Sequence, residues 1–511
     1  MENESLLSRY LSHVGKDAID AETVSFYSSL DVISKTSPKI AKLILKEFYD
    51  QSHHLKLIAS ENFSSPAVQF AQGNLLTDKY AEGFAEHRFY AGCDNIDAIE
   101  NEAASLACKL FGAEHAYIQP HSGSDANFLA YTAILSAKIE QPFLDEKGFK
   151  STAQATDEEW AKLRKEYFSQ KLLALDYYSG GHLTHGYRQN FSGILFDVHH
   201  YTVNRDTFLI DLDDLRKQLH EVKPLIFMAG YSSYPRKLNF AKMRELADEV
   251  GAVFMVDMSH FAGLVAGGVF TGEYNPVPYA DVVTTTTHKT LRGPRGGMIL
   301  CKKEYAPWVD KGCPAVLGGP LPHVMAAKAV AFKEALSDDF KTYAHKIVEN
   351  SSALAQALID EGIRVITDGT DNHLLLADVF STFSLTGRQA ENALRACGIT
   401  LNRNVLPFDA NGPWYTSGIR VGTPAVTTLN MGPEEMKEIA SIIHLVLKNT
   451  SSTIITSKEK EWKVSKVKYI TDEDAKKEAQ QRVAALLSRF VLYPSLCLDM
   501  FPDSYFENLD C

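Results

Sequence analysis

AKMRELADEVGAVFMVD, residues 241–257, and DVVTTTTHK, residues 281–289, are the stretches that decide the fold. Apolar residues recur at helical spacing through the first stretch, and Gly251 is a typical helix stop. Val253–Val256 then predicts a short buried strand, and Val282–Val283 begins a second strand about 30 residues later. Helices that alternate with strands predict an α/β fold with a largely parallel sheet, covered by helices on both faces.

The sequence on either side predicts how the rest of the chain is divided. Ser37-Pro38 predicts a capped helix with proline in its first turn, as part of an N-terminal arm over residues 1–54. Residues 55–336 are expected to form a large domain, and 337–511 a smaller α+β domain with an extended tail. In the smaller domain LLLADVF is predicted to be a strand, and Thr471-x-x-Asp474 predicts the start of the last long helix.

Composition excludes several classes of function. The 511 residues carry a net charge of −12 and are 45% hydrophobic, as is typical of a folded globular protein. No basic stripe would neutralise nucleic-acid phosphates, so no nucleic-acid partner is expected. There is no secretory leader and no run of about 18 uncharged apolar residues, so no membrane partner is expected. The seven cysteines form no C-x-x-C pair, which favours free thiols in a cytoplasmic protein.

Two local features fit the binding of a phosphorylated cofactor. Ser122-Gly123-Ser124 precede a helical pattern, where hydroxyls and backbone N–H groups can approach a phosphate, although a plain N-cap is the commoner explanation. Asp257 follows the strand Val253–Val256, at the edge where open α/β sheets bind ligands. A carboxylate there can keep the ring nitrogen of a pyridoxal cofactor protonated, although a helix cap or a surface acid is the commoner role.

Two further features fit amino-acid chemistry on such a cofactor. Lys289 follows the threonine-rich strand, where a desolvated amine can form a Schiff base, but most lysines after strands are simply solvated. Arg420 can pair with a substrate carboxylate, whereas a structural salt bridge is the default for a single arginine. Together the four features predict a pyridoxal-phosphate site. The sequence has no nucleotide-binding glycine motif and no H-E-x-x-H, and His182 and His185 lack a third ligand, so no metal is expected.

The residues around these features resemble the serine hydroxymethyltransferase family. Val283-TTTTHK-Thr290-Leu-Arg-GPRGG-Met298 is similar to the family's cofactor-lysine signature, which is long and specific. The resemblance runs from about residue 55 to 450 with one interruption. Its further segments are LIASENF (57–63), DKYAEG (78–83), QPHSGS-x-AN (119–127), GGHLTHG (180–186), VDMSH-x-AGL (256–264) and SGIRVGTPA (417–425).

The resemblance implies an aspartate-aminotransferase-like, pyridoxal-phosphate-dependent transferase fold. Its large domain would contain a mostly parallel seven-stranded sheet. The resemblance also implies a homodimer with shared active sites. The implied reaction is the reversible conversion of L-serine and tetrahydrofolate to glycine and methylene-tetrahydrofolate.

Carried over residue by residue, the resemblance also implies roles for individual side chains. The implied catalytic residues are Lys289, Glu82, His260, Asp257 and Tyr90, with Glu82 as the proton-transfer group. Contacts to the cofactor are implied for Lys289, Asp257, His182, Ser122, Gly123, Ser124, Ser232, His260 and Tyr80. Contacts to the amino-acid substrate are implied for Arg420, Ser60, Glu82 and Tyr90, with Tyr80 and Glu82 reaching in from the neighbouring subunit. Contacts to folate are implied for Tyr177, Gly181, Asn404, Asn411, Gly412 and Pro413.

The sequence departs from the usual family pattern at three places. Phe89 replaces a usual tyrosine, Tyr177 replaces a frequent leucine, and about 30 extra residues occupy roughly 141–171. Within the extra segment, Thr156-x-x-Glu159 predicts a capped amphipathic helix. All three departures are expected to lie toward the folate entrance and to weaken folate binding. The tail beyond about residue 450 is also longer than in typical bacterial members.

Two alternatives to this function remain open. A folate-independent pyridoxal-phosphate enzyme, such as a 3-hydroxy amino acid aldolase or an amino-acid racemase, would use the same scaffold and need no folate pocket. A non-catalytic binding protein would be expected to have lost Lys289, Asp257 or Arg420, and all three are present.

Overall fold

The computed structural model describes residues 5–456 and 462–501. The strands are β1 Leu55–Lys56, β2 Gly83–Phe84, β3 His87–Arg88, β4 His115–Tyr117, β5 Lys171–Leu175, β6 Asp197–Tyr201, β7 Ile226–Gly230, β8 Val253–Asp257, β9 Val282–Thr286, β10 Gly297–Cys301, β11 Arg364–Val365, β12 Leu374–Asp378, β13 Ile399–Thr400, β14 Asn402–Asn404, β15 Gly418–Gly422, β16 Thr450–Thr456 and β17 Trp462–Thr471. The helices are α1 Leu6–His13, α2 Ala21–Thr36, α3 Pro38–Ser52, α4 Pro66–Phe70, α5 Asp94–Phe111, α6 Gly123–Leu135, α7 Gln141–Lys147, α8 Asp157–Ser169, α9 Phe191–Leu195, α10 Leu212–Val222, α11 Phe240–Val250, α12 Ala262–Ala266, α13 Ala306–Val309, α14 Gly312–Ala315, α15 Pro322–Ala335, α16 Asp338–Asp360, α17 Val379–Phe383, α18 Gly387–Ala396, α19 Gly412–Tyr415, α20 Pro424–Thr428, α21 Pro433–Lys448 and α22 Glu473–Arg489.

A seven-stranded sheet organises the first two thirds of the chain, in the order β4-β10-β9-β8-β7-β5-β6. Strands β9, β8, β7, β5 and β6 pair in parallel, and β10 runs antiparallel to both of its neighbours. The predicted α/β class and mostly parallel seven-stranded sheet are therefore confirmed.

The central strand β8 shows why this sequence forms a buried sheet. All five of its residues are buried. Phe254 and Val256 pack into the cluster on one face, and Val253 and Met255 pack into the cluster on the other. Successive side chains of a strand point to opposite faces of the sheet. When helices cover both faces, every side chain of the strand is buried, and the strand is apolar throughout. The preceding helix α11 ends at Gly251, whose φ of +69° is left-handed as predicted.

A second sheet, in the order β11-β12-β15-β14, carries Arg420 in the middle of β15. Arg420 lies opposite Leu376 of β12 and Asn402 of β14. Helices α16, α18 and α21 cover this sheet with an apolar cluster of their own. LLLADVF is a strand only as far as Asp378, which caps α17 by accepting a hydrogen bond from the Ser381 N–H at 2.9 Å.

The N-terminal helices pack against the C-terminal segment, a contact that the sequence did not predict. Tyr10, Tyr27 and Phe48 share one apolar cluster with Leu492 and Phe501. Helix α3 begins at Pro38 as expected, but the Ser37 side chain makes no capping hydrogen bond. The domain boundaries proposed from the sequence stay predictions.

The predicted cap of the last long helix is wrong by one residue. Asp472, and not Thr471, caps α22 by accepting hydrogen bonds from the N–H groups of Asp474 and Ala475 at 3.1 and 3.0 Å. Thr471 is the last residue of β17, where its hydroxyl lies 2.9 Å from that of Thr450. A side chain held by the strand pair is not free to cap the helix.

The inserted segment contains the predicted capped helix, but its predicted position is wrong. Thr156 and Glu159 form a capping box at the start of α8. Helix α6 continues through a π-helical turn at Ser136–Glu140 into α7. At 1.5 Å per residue the segment starts about 27 Å from the first turn of α6. The segment ends where β5 begins, at the amino edge of the parallel strands. Asp257 and Lys289 lie at the opposite edge, at the carboxyl ends of β8 and β9. Within this chain, the segment therefore lies away from the mouth of the cavity.

No single helix among the described residues is long and apolar enough to cross a membrane. One pair, Glu473–Arg489 with Pro494–Met500, passes that test jointly by length and composition, with a bend of 96° between its parts.

Candidate cofactor and substrate site

A cavity of about 400 Å³ lies at the carboxyl edge of the seven-stranded sheet. The structure brings most of the predicted cofactor residues together around it, with Ser60. The lining residues are Ser60, Glu61, Ser122, Gly123, Ser124, His182, Tyr231, Ser232, Asp257, Ser259, His260, Thr286, His288, Lys289 and Arg295.

Asp257 is held as an anion by a set of hydrogen-bond donors. Its Oδ2 accepts hydrogen bonds from Asn127 Nδ2 at 2.9 Å and His185 Nε2 at 3.1 Å, and its Oδ1 accepts one from the Ser259 N–H at 2.9 Å. Burial alone would raise the pKa of Asp257, but the bond to His185 and the charges of His185 and Lys289 lower it far below its usual range. The carboxylate is therefore charged at neutral pH.

Lys289 has an amine that loses its proton unusually easily. Burial lowers its pKa from 10.5 to about 8, against the opposite effect of Asp257, and Arg420 and Arg295 lower it further. At pH 7.5 about a quarter of such amines are neutral, compared with about one in a thousand at the ordinary pKa. A neutral amine is the nucleophile that Schiff-base formation requires.

The amino end of α6 forms the opposite wall of the cavity. Ser122 caps the helix, and its Oγ accepts a hydrogen bond from the Asp125 N–H at 3.2 Å. Gly123 must lack a side chain, because a Cβ there would lie 2.6 Å from Cγ2 of Thr286. The helix end thus offers backbone N–H groups at the cavity wall, which suits a phosphate.

Arg420 is a buried cation that no acid among the described residues neutralises. Its Nε donates to Asn402 Oδ1 at 3.1 Å, and its Nη1 donates to the Ser232 carbonyl at 2.7 Å. It forms no ion pair within residues 5–456 and 462–501. Burial lowers its pKa from 12.5 to about 10, against a smaller opposite effect of Tyr177. A buried guanidinium of this kind favours an anionic ligand.

Ser60 and His182 reach the cavity from two different loops. Ala59 packs so closely on β15 that a Cβ at Gly422 would lie 2.3 Å from its Cα, which fixes Ser60 beside the site. His182 Nδ1 lies 2.8 Å from the Thr184 hydroxyl. Burial and the charge of His185 lower the pKa of His182 to about 4, so its ring is neutral and suited to stacking.

Tyr80, Glu82 and Tyr90 are not brought into this cavity. They form a cluster of their own, in which the two tyrosine rings lie 5.1 Å apart and the Tyr80 hydroxyl is 3.5 Å from Glu82 Oε1. The neighbouring Phe89 is 67% exposed. Arg88 anchors the segment by donating to the carbonyls of Ala81 and Gly83 at 3.0 Å each.

The predicted folate residues are also outside the cavity, although Tyr177 lies close enough to Arg420 to affect its pKa. Tyr177 contacts the Tyr178 and Tyr187 rings, and Asn404 ends the strand that contributes Asn402. Asn411 donates to the Ser417 hydroxyl, next to Gly412 and Pro413 in α19. A Cβ at Gly181 would lie 2.1 Å from the Leu175 carbonyl oxygen, so close packing explains why residue 181 is a glycine.

Several site residues were not predicted from the sequence. His288 and Arg295 line the cavity from within the lysine signature itself, and Ser259 does so from VDMSH. All three lie within the family-like segments quoted above, and this position could have indicated that they belong to the site. His185 and Asn127, by contrast, act through Asp257, and only the folded structure shows that contact.

Lys328 is a second buried lysine next to the site. Its Nζ donates to the carbonyls of Ile118 at 2.5 Å, Pro120 at 3.0 Å and Gly297 at 2.7 Å. These carbonyls belong to the loop that leads into α6 and to the first residue of β10. Burial lowers the pKa of Lys328 to about 7, against the opposite effect of Glu100. Three acceptors match the three donors of an ammonium group, so Lys328 ties the two loops together.

Comparisons with known proteins point to one family. The family model described as serine hydroxymethyltransferase matches residues 33–145 and 149–443. The serine hydroxymethyltransferase of Treponema pallidum (strain Nichols) is 57% identical over 494 residues, which cover 97% of this chain and 85% of the relative. That of Cutibacterium acnes is 51% identical over 490 residues, 96% of this chain and 99% of the relative. That of Chlamydia trachomatis serovar D is 51% identical over 497 residues, 97% of this chain and 99% of the relative.

These matches also bear on the inserted segment. Each match leaves only 3–4% of this chain uncovered, and a stretch of that length is shorter than the inserted segment, residues 141–171. The three relatives therefore have counterparts for at least part of the segment. Weaker folate binding, as expected from Phe89 and Tyr177, stays a prediction.

Proposed function

We propose how this chain, which belongs to the serine hydroxymethyltransferase family, uses its own residues in catalysis. The chain is a pyridoxal-phosphate-dependent hydroxymethyltransferase, with tetrahydrofolate as co-substrate. Its reaction is the reversible conversion of L-serine and tetrahydrofolate to glycine and methylene-tetrahydrofolate. The single observation that carries the proposal for the site is that Lys289 and Asp257 line one cavity, while Arg420 donates to the carbonyl of Ser232, which also lines it.

The residues of the cavity fit pyridoxal phosphate. Lys289 would hold its aldehyde carbon, Asp257 its ring nitrogen, and Ser122, Gly123 and Ser124 its phosphate. His182 would stack on the ring, and Ser232 and His260 would hydrogen-bond its oxygens. When bound, the cofactor supplies an electron sink for the bond that breaks in the amino acid. Asp257 is charged in the structure for reasons that do not depend on the cofactor, so the partner of the ring nitrogen is preorganised.

Arg420 would bind the substrate carboxylate, together with Ser60. The buried guanidinium has three protein acceptors, which are Asn402 Oδ1 and the carbonyl and hydroxyl oxygens of Ser232, and no acid partner among the residues described. A carboxylate would satisfy its remaining donors and neutralise its charge. This contact would fix the amino acid so that the bond to be broken stands perpendicular to the cofactor ring.

Tyr80, Glu82 and Tyr90 would serve the site of a second subunit. The three side chains meet at the surface of this chain and do not line its own cavity. Exposed aromatic residues clustered around a carboxylate fit a homodimer interface. Glu82 would transfer protons at the serine hydroxyl and in the folate reaction, and Tyr177, Asn404 and the Asn411–Pro413 stretch would lie near folate.

A cytoplasmic location is also proposed. It is supported by Cys93, Cys108, Cys301, Cys313, Cys397 and Cys497, all of which have free thiols.

Measuring glycine formation from serine with and without tetrahydrofolate tests the function. We expect turnover that depends on tetrahydrofolate and yields methylene-tetrahydrofolate in equal amount. Cleavage of 3-hydroxy amino acids or racemisation at the same rate without folate would instead assign the chain to a folate-independent reaction.

A further inference from the structure

His260 and His373 form a buried pair at the back of the cavity. His260 Nδ1 lies 3.0 Å from His373 Nε2, and the two rings are within 27° of coplanar. Both side chains are almost completely enclosed, with exposed fractions of 3% and 0%. His260 follows β8 of the large sheet, and His373 immediately precedes β12 of the small sheet.

Each of the two rings is neutral and carries one N–H, and one of these protons forms the hydrogen bond between them. Burial lowers the pKa of both histidines, that of His373 to about 3, and the charges of Lys289 and Arg420 lower both further. Two neutral rings joined through nitrogen therefore have one donor and one acceptor between them. Either His373 donates from Nε2 to His260, or His260 donates from Nδ1 to His373.

The other nitrogen of His373 distinguishes these two arrangements. His373 Nδ1 is buried without a hydrogen-bond partner among the described residues. If His260 were the donor, His373 would carry its own proton on Nδ1, and that buried N–H would have no acceptor. Unpaired buried N–H groups are rarer in proteins than under-used acceptors. The donor is thus His373 Nε2, and its Nδ1 keeps only a lone pair.

We propose that His373 is a positioning residue that fixes the tautomer of His260, so that His260 presents a hydrogen-bond donor, Nε2–H, to the cofactor cavity. With Nδ1 accepting from His373, the proton of a neutral His260 must lie on Nε2. Nε2 is the ring nitrogen left to face the cavity that His260 lines. An N–H there suits an anionic oxygen on the cofactor ring, and this step rests on the proposed function.

The loop that carries His373 is built to hold it still. The Thr370 hydroxyl donates to the Leu374 carbonyl at 2.6 Å, and Asn372 Nδ2 donates to the Tyr231 hydroxyl at 3.1 Å and the Tyr234 carbonyl at 3.0 Å. The His373 carbonyl accepts from the Thr423 N–H at 3.1 Å. A residue at the start of the small sheet, His373, thereby fixes the tautomer of a residue at the end of a strand in the large sheet, His260.

Nitrogen-15 NMR of the cofactor-free protein, labelled at histidine, tests the tautomer without any turnover. His260→Gln and His373→Gln assign the two sets of ring signals. We expect a protonated Nε2 and a bare Nδ1 on both rings. A protonated Nδ1 on His260 would overturn the proposal, and this result does not depend on whether the chain binds pyridoxal phosphate.

Cofactor binding tests the consequence. His373→Leu has no donor and should weaken pyridoxal-phosphate affinity about tenfold, the loss typical of one hydrogen bond to a charged group. His373→Gln has an amide donor and should recover most of that affinity. With His260→Leu as the background, His373→Leu should have no further effect on affinity. Equal losses in the leucine and glutamine variants at matched thermal stability, or additive losses in the double variant, would contradict the positioning role.

Discussion

Replacing Arg420 by leucine tests two effects of its buried charge separately: the affinity for the amino-acid substrate and the stability of the ligand-free protein. In the ligand-free protein Arg420 is 9% exposed as a residue, and burial lowers the pKa of its guanidinium from 12.5 to about 10. That change corresponds to about 3 kcal/mol spent on keeping the group charged. A carboxylate that pairs with Arg420 would recover a free energy of this order. Arg420→Leu should therefore reduce affinity for glycine and serine about 100-fold.

The same substitution should barely change the stability of the ligand-free protein. It removes the buried charge, but it also leaves Asn402 Oδ1 and the Ser232 carbonyl without this donor. Each unsatisfied acceptor costs about 1–3 kcal/mol, so the two effects nearly cancel.

Calorimetric titration with glycine of the enzyme containing pyridoxal phosphate measures the first effect, and urea unfolding of the ligand-free protein measures the second. Arg403→Leu is the matched control, since Arg403 lies on β14 next to the same strand and pairs with Glu391. It should leave glycine affinity unchanged. Wild-type glycine affinity in Arg420→Leu, with the control behaving as expected, would refute the carboxylate role.

Four further expectations follow from particular contacts. The rate at which the cofactor-free protein attaches pyridoxal phosphate should rise with pH through a midpoint near 8, because only the neutral amine of Lys289 attacks; stopped-flow absorbance measures it, and a flat profile from pH 7 to 9 would contradict the lowered pKa. Lys328→Met should lower the free energy of unfolding by about 2–4 kcal/mol, because it leaves buried carbonyls without their donor; urea unfolding that matches wild type would show that the clamp contributes nothing. Mixed dimers of Glu82→Gln and Lys289→Ala chains should regain part of the activity that each variant lacks, and no recovery after proven subunit exchange would count against a shared site. Trp160→Ala, on the inserted helix, should leave tetrahydrofolate affinity unchanged, since that helix returns to the amino end of β5; a clear loss in a binding titration would restore the segment to the folate side.

The parts of the fold that the sequence predicted are those set by local patterns. The helix before Gly251, the strand after it and the capping box at Thr156 depend on spacing and backbone preferences within a few residues. The N-cap of α22 was misplaced because Thr471 is held by its partner in the neighbouring strand, Thr450, which lies 21 residues earlier. The position of the inserted segment depends on the direction in which α6 leaves the sheet, which no short motif records.

The site shows the same division. Lys289, Asp257 and Arg420 were predicted because each lies in a distinctive segment at a strand end or within a strand. His185, Lys328 and His373 were not, because they act through contacts with residues at least 31 positions away. A buried lysine or histidine has no sequence pattern of its own, and its role is visible only once its acceptors are in place.

The most direct test of the central claim is to identify the lysine that carries the cofactor. The enzyme with bound pyridoxal phosphate is reduced with borohydride, digested, and its labelled peptide sequenced by mass spectrometry. Two lysines near the site have strongly lowered pKa values, but Nζ of Lys328 is occupied by three carbonyls, whereas Lys289 lines the cavity. We expect the label on Lys289 alone, and its loss in Lys289→Ala. A label on Lys328, or an unchanged label in Lys289→Ala, would contradict the assignment of the site.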